Sequence, residues 1–203
     1  MTPHPPTDGR QCPGSHDHSG PVTRRSVLGT VLAAGAASLA GCTGGGDGPP
    51  DPVTLPADAT CDVCGMVIAE HPGPSAQLFY ADQEPAGHPN PARFDSTWEA
   101  FQFDFEREDW DREAFYVTDY SAVEYDVQTV EGQPVISRHV EAETFVDSEA
   151  VTFVAGSAVV GTMGEDLLGF SERADAEAFR DEYGGELVTA GEVTPALISQ
   201  LGM

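Results

Sequence analysis

The chain has 203 residues, with 34 acidic side chains against nine arginines and no lysine, for a net charge of −25. A surface this acidic repels nucleic acid and anionic lipid headgroups, which removes both from the field of partners. Hydrophobic residues make up 40% of the chain and recur along it, which excludes disorder, and the length suits one ordinary domain or two small ones. The acidic residues are spread over nearly every predicted loop and helix, which favours the surface of a halophilic protein kept hydrated in strong salt over an acidic docking face for a basic partner.

The first 41 residues read as an address. Arg24-Arg25 precedes an uncharged Ala/Val/Leu-rich run that ends at Gly41. That run is shorter than the roughly 20 apolar residues of a spanning helix, and a twin arginine before it marks export in the folded state. Leu39-Ala40-Gly41-Cys42 has the form of a lipoprotein cleavage site, with Cys42 as the lipidated residue. The expected product is anchored to the outer face of the cytoplasmic membrane. His4, Cys12, His16 and His18 lie upstream of the cut and are removed with the signal. Residues 42–57, rich in Gly, Pro and Asp, are the predicted tether.

The rest is expected to be α+β, as two small duplicated ββαβ-like units at 58–122 and 123–203. In the first, Met66–Ala69 reads as a short strand, His71–Pro74 as a turn, and Ala76–Tyr80 as the returning strand. Glu84–Pro91 is a loop. Ser96 and Glu99 have capping-box spacing and should open a helix with Trp98, Phe101 and Phe105 on one face. Ala114–Val117 is the next strand. In the second unit, strand-like runs cover 123–130 and 151–160, a helix Arg173–Tyr183, with Gly184-Gly185 as its stop. Glu186–Thr189 is a closing strand and Thr194–Leu201 a terminal helix.

Chemistry concentrates in Cys61-Asp62-Val63-Cys64-Gly65-Met66. Covalent haem attachment needs His after the second Cys, and Gly65 stands there. Structural zinc wants four closed ligands, but His71, His88 and His139 are scattered singly. A thioredoxin-like pair normally opens a helix after a strand, and here a strand is expected to follow. A small Cys61–Cys64 disulfide is the plain structural alternative. If the segment is extended, Cys64 and Met66 share a face. A thiolate beside a thioether is a soft site, and soft sulfur selects Cu(I). Met163, between glycines in Gly161-Thr162-Met163-Gly164, is a candidate third ligand, with His71 and His88 as others. No catalytic triad or phosphate-binding glycine loop is present, so a carrier is expected, not an enzyme. The competing reading is a membrane-anchored thiol–disulfide oxidoreductase using Cys61 and Cys64.

Cys64-Gly65-Met66, then Glu70 to Pro74 and Gln77, resembles the amino-terminal motif of the NosL family. The similarity continues through Phe94-Asp95, Tyr116 to Asp119, Met163-Gly164 ahead of Leu167 and Phe170, Ala176 to Phe179 and Gly184-Gly185. The resemblance implies a pair of ββαβ-like units and a Cu(I) site at Cys64, Met66 and Met163. It also implies a lipoprotein chaperone that passes copper to nitrous oxide reductase or its membrane-associated maturation machinery. Two departures stand out. Val160-Gly161-Thr162-Met163 lacks the first methionine of the family's Met-Gly-x-Met, and Cys61 is not a fixed family position.

Overall fold

A computed structural model describes residues 48–201. Arg24, Arg25 and Cys42, and with them the expected export and lipidation signals, lie outside the described residues. Among the described residues no helix is long and apolar enough to cross a membrane.

The chain is docked almost from its first described residue. The Tyr116 hydroxyl donates to the Pro50 carbonyl at 2.7 Å, and the Leu55 N–H donates to the Val140 carbonyl while its side chain is buried. The buried Gln77 amide serves Val53 twice: the Val53 N–H donates to Oε1 and Nε2 donates to the Val53 carbonyl. The end of the predicted tether therefore belongs to the fold, because Leu55 supplies apolar surface and Gln77 satisfies the extended backbone.

Strands β1 (Ala76–Tyr80), β2 (Ala92–Phe94) and β3 (Arg112–Thr118) form an antiparallel sheet with β1 in the middle. Every residue of β1 is buried, as a strand covered on both faces must be. Helix α1 (Thr97–Phe105) joins β2 to β3. Ser96 caps it, its Oγ accepting from the Glu99 N–H at 3.2 Å. The hairpin β4 (Val127–Val130) and β5 (Gln133–Ile136) follows, and β6 (Phe145–Asp147) then pairs with the free edge of β3.

A second sheet repeats the connectivity of the first. Strand β7 (Thr152–Ala155) is central, flanked by β8 (Leu167–Phe170) and β9 (Glu186–Thr189), with α2 (Arg173–Tyr183) between β8 and β9. Gly184 ends α2 at φ +76°, a backbone state only glycine adopts freely. Helix α3 (Pro195–Leu201) packs on α1, with Trp98 Nε1 donating to the Ile198 carbonyl.

The α+β class is the one expected, with several differences inside it. The segment Met66–Ala69 is not a strand. The Cys61 N–H donates to the Met66 carbonyl, the Gly65 N–H donates to the Cys61 carbonyl, and a 3-10 turn runs over Ile68–Glu70. Gly65, at φ +75°, makes the reversal possible. The shared-face argument for Cys64 and Met66 falls with the strand. Strands β2, β5, β6 and β8 were not expected, being short or carrying Pro or Gly. The division expected at 122/123 is also crossed, since β6 completes the first sheet. One apolar cluster spans both sheets, with Phe101 meeting Phe115 edge-on at 4.7 Å and Phe153 at 5.7 Å. A second gathers Leu168, Phe170, Ala176 and Phe179 of β8 and α2.

Candidate metal centre

The loop Cys61–Met66 is closed at its base and pinned to β2. Asp62 does the pinning, accepting from the Arg93 N–H at 2.7 Å and from His88 Nε2 at 2.8 Å, while its own N–H donates to the Arg93 carbonyl. This holds Cys61 and Cys64 over the junction of β2 and α1. Asp95 lies at that junction and Glu99 in the first turn of α1. One ligand atom from each of Cys61, Cys64, Asp95 and Glu99 lies within 4.8 Å of all the others. Cys61, Asp95 and Glu99 are buried and Cys64 is half-buried, so the cluster opens outward at Cys64 alone.

Both cysteines are free thiols. The Cys61 Sγ–H donates to Glu99 Oε2 at 2.9 Å, and the Cys64 Sγ–H to the Asp95 carboxylate at 3.5 Å. Burial pushes the Cys61 thiol far above its ordinary value, and the bond to Glu99 adds to this. Burial raises the Cys64 thiol too, with the negative Asp95 and Glu99 as further causes. Glu99 itself is raised, first by burial and then by its bond to Asp95. The two thiols thus keep their protons, each donating to a carboxylate. A metal ion that displaced those protons would leave two thiolates and two carboxylates aimed at one point.

The predicted ligands divide. Cys61 and Cys64 come together in the cluster. Met66 is half-buried at the base of their loop. His71 lies just beyond the 3-10 turn, outside the four-residue cluster. His88 is corrected as a ligand candidate: its two ring nitrogens face Asp62 and the Pro89 carbonyl, each at 2.8 Å, so it braces the loop instead. Met163 is 44% exposed on the turn Gly161–Gly164. That turn crosses the segment following His71, where the Thr162 hydroxyl donates to the Pro72 carbonyl.

Asp95 and Glu99 were missed from sequence. Glu99 was read as reciprocating the Ser96 cap, yet its carboxylate turns to Cys61. The signal was available in a weak form: two acids flank the helix start, and Glu99 lies on the buried side of α1 with Ala100 and Phe103. Against 34 acidic residues it could not stand out.

The family model for NosL matches residues 52–198. The copper-binding lipoprotein NosL of Stutzerimonas stutzeri is 29% identical over 150 residues, covering 74% of this chain and 70% of that protein. The crystal structure of the copper chaperone NosL from Shewanella denitrificans superposes with a TM-score of 0.57 at 30% identity, covering 73% of this chain and 99% of that one.

Proposed function

This chain belongs to the NosL family, and from that premise we propose that it carries Cu(I) as cargo through Cys64, Met66 and Met163. Cys64 supplies the thiolate, and the methionines supply neutral, adaptable thioethers that a partner's ligands can replace one at a time. The observation that carries this reading is the half-buried free thiol of Cys64, set at the mouth of an otherwise buried donor cluster. Cargo enters and leaves at the accessible sulfur while Cys61, Asp95 and Glu99 stay sealed behind it. The recipient is nitrous oxide reductase or the membrane-associated machinery that matures it. The carrier works from the outer face of the membrane, exported through Arg24-Arg25 and held by lipid on Cys42.

The oxidoreductase reading is disfavoured by the same geometry. Reactive thiols of that class have lowered pKa values, commonly at a helix N-terminus. Cys61 is buried, raised and bonded to Glu99, in a loop.

A second metal reading has an observation of its own. Zinc was set aside in the sequence for want of a second ligand pair, and Asp95 and Glu99 now stand where that pair would be. Two thiolates and two carboxylates suit a borderline divalent ion such as Zn2+ better than they suit Cu(I).

A Cu(I) titration of the reduced protein against a chromogenic chelator tests both. One Cu(I) is expected per chain. Cys64→Ser should weaken binding by at least the roughly 10–100-fold that loss of an outer-shell partner costs a metal site. Met66→Ala should weaken it by about tenfold, or 1.4 kcal/mol. Asp95→Asn with Glu99→Gln should spare Cu(I) and abolish Zn2+ retention. Cu(I) binding indifferent to Cys64 and Met66 would overturn the carrier.

A further inference from the structure

Met163 rides on a turn gripped from two sides. The Gly161 N–H closes that turn by donating to the Gly164 carbonyl at 2.8 Å. On one side lies the segment that follows the Cys61–Met66 loop. There a Cβ on Gly73 would stand 2.8 Å from the Gly161 Cα, so the two strands of backbone touch with no room for a side chain.

On the other side is Asp166, a carboxylate 1% exposed. Its Oδ1 accepts from the Leu167 N–H at 2.8 Å and from the Trp98 N–H at 2.9 Å, in the first turn of α1. Its Oδ2 has no partner, and a Cβ on Gly161 would come within 2.6 Å of it. An unpartnered buried carboxylate oxygen is costly, and this one lies where the turn has only glycine. Asp166 is therefore a spacer between the head of α1, where Ser96 and Trp98 lie, and the turn that carries Met163.

We propose that Asp166 is a positioning residue of the metal site, fixing the Gly161–Gly164 turn against α1 so that Met163 keeps a constant place relative to Cys64. The proposal rests on the reading of Met163 as a ligand. It requires an acceptor at Oδ1 and a side chain of this length, not a second bond at Oδ2. Loss of the spacer lets the turn move and uncouples Met163, while Met66, on its separately closed loop, is unaffected.

The test is a set of Cu(I) affinities on the reduced full chain, with thermal unfolding to show that each variant folds. Met163→Ala should lower affinity by about tenfold. Asp166→Ala should do the same, and adding Met163→Ala to it should change nothing more. Met66→Ala should keep its full effect in the Asp166→Ala background. Asp166→Asn, which retains the Oδ1 acceptor, should behave as the parent. If Asp166→Ala does not fold, Gly161→Ala, whose Cβ would press on the Asp166 carboxyl group, displaces the same turn and should silence Met163 equally. An undiminished Met163→Ala effect in a folded Asp166→Ala or Gly161→Ala chain overturns the positioning role. An inert Met163→Ala in the parent chain overturns the ligand assignment and the positioning role with it.

Discussion

Asp166 also carries a pH dependence that belongs to a single side chain. Burial raises it from 3.8 to about 7, against the opposing bonds from the Leu167 and Trp98 N–H groups. Below pH 4 it is protonated in folded and unfolded chains alike. Between about 4 and 7 the unfolded chain gives up that proton and the folded chain keeps it, so stability falls as pH rises. At 1.4 kcal/mol per pH unit the loss reaches about 4 kcal/mol above pH 7. Asp166→Asn removes this slope. Urea unfolding of parent and variant at pH 4 and pH 8 should show the variant gaining at pH 8. An equal difference at both pH values would mean that the carboxylate is ionised throughout.

Helix α1 is the element on which the site depends. Its start brings Asp95, the Ser96 cap and Glu99 beneath the two thiols, and its second residue, Trp98, reaches Asp166 through its backbone and α3 through its indole. The helix is legible in sequence because capping is local: Ser96 needs only the Glu99 N–H three residues on. The destination of the Glu99 carboxylate is not legible, because it depends on a loop 38 residues earlier in the chain. Ser96→Ala should destabilise the protein by about 1–2 kcal/mol, the usual range for a lost cap with a buried partner, seen as a lower unfolding midpoint. A midpoint unchanged within error would show that the helix is held by packing alone. The loop Cys61–Met66 teaches the reverse lesson. Val67 and Ile68, just beyond it, suggest a strand, but Gly65 turns the chain back and a 3-10 turn over Ile68–Glu70 replaces a ladder.

At the scale of the whole molecule, two sheets of the same connectivity share the larger of two apolar clusters. Phe101 on α1 sits at the seam, touching Phe115 of the first sheet and Phe153 of the second. Truncating it should remove support from both at once. Phe101→Ala is expected to destabilise by about 3–5 kcal/mol, and unfolding should remain a single transition by near-UV and far-UV circular dichroism. Two separated transitions would mean that the sheets fold as independent units. The seam also explains why a division at 122/123 does not describe the structure: β6 comes from beyond it and pairs with β3.

The α+β class, helices α1 and α2, strand β9 and the glycine stop of α2 were determined by the sequence itself. Each rests on local rules of periodicity, capping and turn chemistry that act within a few residues. Only the tertiary structure decided that Asp95 and Glu99 face the thiols, that His88 serves Asp62, and that Asp166 accepts from Trp98 at the head of α1. Those contacts join residues 26 to 68 positions apart. Such pairings form because the core fixes where each element lies, and a strongly acidic composition hides the few carboxylates that end up buried.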